Sequence, residues 1–285
     1  MHEEFKLERR IEREIMSFSG LMGLYADDLK GRVVEMNADV EFETASTIKS
    51  FVLAELFRQV HDGKKSLSDR LAFTEENFIS GSGVLKSLET GTELSVKNLA
   101  TLMIIVSDNV ATNILIDYLG LEQINRNIGR LGFERTKLFR KIADSGGEDG
   151  AWPPLGVTTP REYGRLFAMI AREELVSPEA SRAMLDIYRK QHYNGTLTDS
   201  LPPYYLDEDN FGKEAPLYIA SKSGSMDNCR NDGGIVGTPF GSYVIAIFTK
   251  DFRDRQYHRG HESQVYGARV SRLLFDQYLA REGDF

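Results

Sequence analysis

Residues 46–60 read Ser46-Thr47-Ile48-Lys49-Ser50-Phe51-Val52-Leu53-Ala54-Glu55-Leu56-Phe57-Arg58-Gln59-Val60. Ile48, Phe51, Val52, Leu56 and Val60 recur at helical spacing, so the stretch predicts a helix from Ser46 to Val60. Its first turn carries a serine and, three residues on, a lysine, which places both on one face. A serine hydroxyl is a weak nucleophile until a base takes its proton. A lysine is such a base when burial and neighbouring cations keep it neutral. The helix start adds backbone N–H groups and a positive dipole end, which suit a developing oxyanion. The same pair arises by chance on ordinary helices, so on its own it leaves a structural reading open.

Upstream, Leu7, Ile11 and Ile15 stand four apart and predict an amphipathic helix from Phe5 to Ser17. Leu21–Ala26 and Arg32–Asn37 read as strands joined by the turn-rich Asp27-Asp28-Leu29-Lys30-Gly31. Downstream, Ser95 is an N-cap for a helix from Val96 to Val106, and Val110–Tyr118 and Leu121–Leu131 read as two more. Thr159-Pro160-Arg161-Glu162 has the pattern of a capping box with proline at the first helical position, and Ser177-Pro178-Glu179 opens a helix in a similar way. After about Lys190 the texture turns strand-like, in Leu217–Ser221, Gly234–Val236 and Ser242–Thr249. A closing helix spans Glu262–Ala280. The two ends can therefore share one sheet, with a helical middle inserted between them.

Composition excludes several classes. With 285 residues, 41% of them hydrophobic and 27% charged, the chain is an ordinary globular protein of one large or two modest domains. A net charge of −8 offers no electrostatic footprint for nucleic acid. The single cysteine, Cys229, excludes an internal disulfide and a multi-cysteine metal site. No apolar run of about 18 residues suggests a membrane span. Met1-His2-Glu3-Glu4-Phe5-Lys6 is not the start of a secretory signal peptide. The expected compartment is the cytoplasm, or the periplasm or exterior if a leader was removed.

Two further motifs stand at element boundaries. Ser107-Asp108-Asn109 closes the apolar helix before Val110, and its structural reading is a polar helix connection with a cap. Lys222-Ser223-Gly224 follows the strand Leu217–Ser221, where a glycine permits close approach of a ligand; its structural reading is a hairpin with a surface lysine. In the order Ser-x-x-Lys, Ser-Asp-Asn, Lys-Ser-Gly, the chain resembles the penicillin-binding serine hydrolases, class A β-lactamases in particular. The resemblance covers nearly the whole chain.

That resemblance implies an α/β (α+β) β-lactamase-like fold, an antiparallel sheet flanked by helices with an inserted all-helical lobe. Residues 1–39 and 190–285 would form the sheet domain and 40–189 the helical domain. It implies that Ser46 attacks an amide carbonyl, Lys49 accepts or relays its proton and Ser107 passes a proton to the leaving nitrogen. Asn109 would bond the substrate's amide side chain, and Lys222 and Ser223 its carboxylate beside Gly224. The N–H groups of Ser46 and Ser225 would form the oxyanion hole. Arg230, eight residues after Lys222, would contact the same carboxylate, with a surface ion pair as its alternative. The partner is a small β-lactam or D-alanyl-type substrate, with no cofactor, metal, nucleic acid or membrane.

The chain departs from the family where class A enzymes carry Glu-x-x-Leu-Asn. Anchoring on Lys137-Leu138-Phe139-Arg140 puts Ile142 where that glutamate stands. Asp144 is the nearest replacement, with Glu148 and Asp149 further along the loop. Acylation has its residues; deacylation needs a base aimed at water. A D-alanyl-D-alanine peptidase or esterase of the same fold, and an acylation-only penicillin-binding module, are therefore the rival readings. The remaining conspicuous residues read structurally. His258, His261 and Glu262 are solvated rather than a metal site, Trp152 staples or lines its loop, and Cys229 is a packed side chain.

Overall fold

The computed structural model describes residues 4–143, 154–206, 216–258 and 260–285. A first helix, Glu4–Glu14 (α1), leads into strands Leu21–Asp27 (β1) and Val33–Met36 (β2). The short strand Phe42–Glu43 (β3) precedes a 3-10 turn, Ala45–Ile48, which runs into helix Lys49–His61 (α2). Ser46 therefore stands on a tight 3-10 turn, and the expected single helix from Ser46 starts at Lys49 instead. Ala45, just before Ser46, holds a left-handed φ of 44°.

Strands Arg70–Ala72 (β4) and Glu93–Ser95 (β5) pair with each other. Helices Val96–Ile105 (α3), Asn109–Leu119 (α4) and Leu121–Arg130 (α5) follow, then the short strands Lys137–Leu138 (β6) and Gly156–Thr158 (β7). Helices Pro160–Ala171 (α6), Pro178–Tyr188 (α7) and Gly195–Thr198 (α8) lead to strands Tyr218–Ser221 (β8), Gly224–Met226 (β9), Cys229–Thr238 (β10) and Gly241–Lys250 (β11). Helix Glu262–Ala280 (α9) closes the chain.

The expected caps are present. Ser95, Thr159 and Ser177 accept from Asn98, Glu162 and Ala180 N–H groups. The capping box at Thr159 is only half made: the Glu162 carboxylate turns to the Glu134 and Arg135 N–H groups and the Thr136 hydroxyl. His261 caps α9, its Nδ1 accepting from the Ser263 N–H.

The main sheet runs β2-β1-β11-β10-β8, with β9 also on β10, and every pairing is antiparallel. Residues from both ends of the chain meet in it, Leu21 opposite Lys250. Alternation along β1 and β11 sorts the side chains onto two faces. Tyr25, Val244, Ala246 and Phe248 join the core beneath α2–α7, whereas Leu24, Ala26, Ile245 and Ile247 pack against α1 and α9 through Leu7, Ile11, Val270, Leu274 and Tyr278. No helix is long and apolar enough to cross a membrane among the described residues.

Candidate active site

The 3-10 turn bearing Ser46 is held from below by β10. The Asn231 amide donates to the carbonyls of Glu43 (2.8 Å) and Thr44 (3.4 Å), and its Oδ1 accepts from the Thr249 N–H. From the side, β9 presses against the turn at Gly224. A Cβ there would lie 2.6 Å from the Thr44 carbonyl oxygen and 2.7 Å from the Ser46 nitrogen, so only glycine admits this approach. The Ser46 and Ser225 N–H groups belong to these two touching segments. Gly224 thus stands in the β9–β10 hairpin and against the nucleophile turn at once.

Lys49 is fully buried at the start of α2. Its Nζ lies 2.8 Å from the Ser107 carbonyl oxygen, 3.0 Å from Asn109 Oδ1 and 3.0 Å from Ser107 Oγ. The two carbonyl-type oxygens match the two N–H groups of a neutral amine, and the Ser107 hydroxyl can donate to its lone pair. Burial, and secondly the charge of Lys222, push the Lys49 ammonium far below the usual lysine range, with Asp108 opposing. That is what a general base requires.

Ser107 itself sits at a left-handed φ of 53° in the link between α3 and α4. Like Ala45, it holds a conformation that costs on the order of 1–3 kcal/mol and survives only when its surroundings enforce it. The enforcement comes from Asp108, which caps α4 by accepting from Ala111 N–H while its other oxygen accepts from the Val84 and Leu85 N–H groups. Asn109 donates from Nδ2 to the Ser80 carbonyl. One turn further along α4, the Asn113 amide grips Ile142 twice, accepting from its N–H and donating to its carbonyl, each at 2.9 Å. Ile142 is therefore fixed beside the face that carries Asn109.

Lys222 lies in the break between β8 and β9, both paired to β10, and is fully buried. The expected hairpin forms, β8 and β9 together folding back onto β10, but its lysine is buried rather than on the surface. Burial lowers the Lys222 ammonium to about 7, opposed by the charge of Asp232. Tyr163 of α6, completely buried, donates to the Lys222 carbonyl (2.9 Å) and shares a hydrogen bond with Ser50 (3.0 Å), linking α2 to the end of β8. Gln191 donates to the Ile104 carbonyl at 2.9 Å and the Ser221 carbonyl at 3.3 Å.

Ser223, Ser225 and Arg230 border one cavity of about 410 Å³ together with His192, Tyr193 and Asn194. Arg230 is nearly buried, donating to the Cys229 carbonyl and lying 4.1 Å over the Tyr257 ring. Its other terminal guanidinium nitrogen donates to the Gln256 carbonyl at 3.5 Å. Burial pushes the neighbouring Cys229 thiol up to about 12, which leaves it unreactive. Asp144, Glu148, Asp149 and Trp152 lie outside the described residues.

The structure thus gathers Lys49, Ser107 and Asn109 directly, sets Ser46 against Gly224, and places Ser223, Ser225 and Arg230 on one cavity. Sequence reasoning missed Asn113, Tyr163, Gln191, Asn231 and Asp232. Only Asn113 and Asn231 left a signal, as polar residues one turn from Asn109 and one residue from Arg230.

Comparison with known proteins agrees with this geometry. The sequence model described as the beta-lactamase enzyme family matches residues 6–278. A beta-lactamase of Bacillus amyloliquefaciens is 31% identical over 255 residues, 84% of this chain and 75% of that protein. One from Bacillus licheniformis is 24% identical over 246 residues, again 84% and 75%. Among solved structures, a beta-lactamase from Sphaerobacter thermophilus superposes with a TM-score of 0.83 at 28% identity, covering 96% of this chain and 97% of the other. PBP-A superposes at 0.81 and 28% identity over 96% of each chain, and a substituted form of it is seen as an acyl-enzyme with penicillin G.

Proposed function

The chain belongs to the beta-lactamase enzyme family, and on that footing we propose that it acylates Ser46 with β-lactams and releases the product slowly. It is a serine hydrolase of the class A β-lactamase type. The observation that carries the reading is the buried Lys49 amine, within 3.0 Å of both Ser107 Oγ and Asn109 Oδ1.

Lys49, neutral, accepts the Ser46 proton as the hydroxyl oxygen attacks the β-lactam carbonyl. The N–H groups of Ser46 and Ser225 receive the developing oxyanion. The proton passes through Ser107 to the lactam nitrogen as the C–N bond breaks. Asn109 bonds the substrate's amide side chain, and Lys222, Ser223 and Arg230 hold its carboxylate, Ser223 and Arg230 from the cavity that Ser225 also borders. Slow release is supported by Ile142, an apolar residue whose backbone is held by Asn113 where the family's water-activating glutamate stands.

A chromogenic cephalosporin and intact mass spectrometry test both halves. The expected result is a burst with a covalent adduct that accumulates, then slow turnover, and neither in Ser46→Ala. An adduct that survives Ser46→Ala, or no adduct at all, overturns the Ser46 mechanism. Fast sustained turnover without accumulated adduct overturns slow release and points to another base, with Asp144 the first to substitute by Asn.

A further inference from the structure

Tyr257 is an aromatic side chain that the fold leaves 64% exposed, yet its ring lies 4.1 Å from the guanidinium of the nearly buried Arg230. Burial of apolar surface does not account for a ring so placed, whereas the attraction between a cation and an aromatic face does. We propose that Tyr257 is a positioning residue of the carboxylate clamp, its ring holding the Arg230 guanidinium at the cavity that Ser223 and Ser225 also border. The inference rests on the reading that Arg230 contacts the substrate carboxylate.

The backbone of Arg230 is set by the sheet. It stands opposite Ser225 on one side and Thr249 on the other, and the Thr249 hydroxyl donates to its carbonyl. The side chain is set mainly by the loop between β11 and α9. One terminal nitrogen donates to the Cys229 carbonyl at 3.0 Å and the other to the Gln256 carbonyl at 3.5 Å. The Tyr257 ring lies at 4.1 Å and the buried Phe252 ring at 5.7 Å. Both carbonyls are neutral, so they orient the guanidinium without cancelling its charge. A guanidinium also has more N–H groups than these two bonds use, in a planar fork that suits a carboxylate. The loop itself is tied at Asp254. Its carboxylate accepts from the Gln256 N–H at 3.0 Å and lies 2.6 Å from His258 Nε2, and its carbonyl lies 2.8 Å from His261 Nε2. Tyr257 is thus bracketed by two residues fastened to one aspartate, which gives an exposed ring a fixed place. A long arginine side chain loses rotamer freedom when it takes hold of an anion, and holding it beforehand removes that cost from binding.

The test follows acylation by benzylpenicillin and by its neutral methyl ester in wild type, Tyr257→Leu and Tyr257→Phe. Leucine keeps apolar bulk and removes the aromatic face, whereas phenylalanine keeps the face. Tyr257→Leu should weaken benzylpenicillin binding ahead of acylation about tenfold, with the acylation rate at saturation and the ester both within about twofold of wild type. Tyr257→Phe should stay within about twofold for both substrates. An equal loss for the two substrates, no loss in Tyr257→Leu, or a Tyr257→Phe that fails as Tyr257→Leu does overturns the proposal. In Arg230→Gln, adding Tyr257→Leu should cost nothing further, and a further loss overturns it too. Arg230→Gln alone separates this inference from the reading beneath it. If it erases the preference for the free carboxylate while Tyr257→Leu does not, only the role of Tyr257 falls. If it leaves that preference intact, the contact of Arg230 with the carboxylate falls and the role of Tyr257 with it. Should Ser46 take no adduct, dissociation constants of the two compounds from Ser46→Ala, with and without Tyr257→Leu, decide the role of Tyr257 by the same ratios in calorimetry.

Discussion

Ile142 shows how one side chain sets the balance between two chemical steps. Its backbone is already held by both ends of the Asn113 amide, so a carboxylate introduced there inherits a fixed origin. Ile142→Glu is expected to shorten the life of the penicillin adduct at least about tenfold, read by mass spectrometry, with the acylation burst kept. Gly224 makes the complementary case. In Gly224→Ala the added methyl meets backbone at 2.6–2.7 Å, so β9 must retreat from the Ser46 turn. Losing one oxyanion donor costs roughly 10²–10³ in rate, and acylation should fall by that order while the melting temperature falls only a few degrees. Residue chemistry was legible where identity alone carries it: Ser46, Lys49, Ser107, Asn109 and Lys222 stand in short motifs. The burial of Lys222 was not legible, because nothing in Lys222-Ser223-Gly224 says that the strand continues past it on the same partner.

At the scale of elements, legibility followed the range of the interactions. Helices α3, α6, α7 and α9 were readable to within a residue or so because their caps are local, the side chain and the N–H it accepts from lying three residues apart or fewer. Strands β3 and β9 were not, since two or three residues become a strand only through partners far along the chain. The 3-10 turn at Ser46 escaped for the same reason, its geometry being imposed by Asn231 and Gly224. Glu162 shows a local motif diverted to a distant task. Because its carboxylate satisfies two N–H groups and the Thr136 hydroxyl, Glu162→Ala strands buried donors at the α5–β6 connection. Each stranded group costs about 1–3 kcal/mol, so the variant should lose at least about 2 kcal/mol in urea unfolding. Glu162→Gln, which keeps an acceptor, should lose less.

At the scale of the molecule, the sheet divides two cores with separate duties. The core beneath α2–α7 supports Lys49 and the Ser107 link, and the one under α1 and α9 contains none of the site residues among the described ones. Leu274→Ala, in the outer core and fully buried, should cost about 2–5 kcal/mol of stability and leave the acylation rate constant unchanged at 25 °C. The net charge of −8 likewise says little about the site, whose walls carry Lys49, Lys222 and Arg230.

The pairing of Leu21 with Lys250 also has a bearing on biosynthesis. During synthesis β1 and β2 emerge long before β11, which covers one edge of β1. Until then a short hairpin of largely apolar strands waits with an open edge, the kind of surface that recruits chaperones or neighbouring chains. Closure over so long a loop is slow in entropic terms. Refolding yield should therefore fall with protein concentration, and a circular permutant that joins α9 to α1, so that β1 follows β11 with only these two helices between, opened in the exposed Asp62-Gly63-Lys64 turn, should refold faster than the original order.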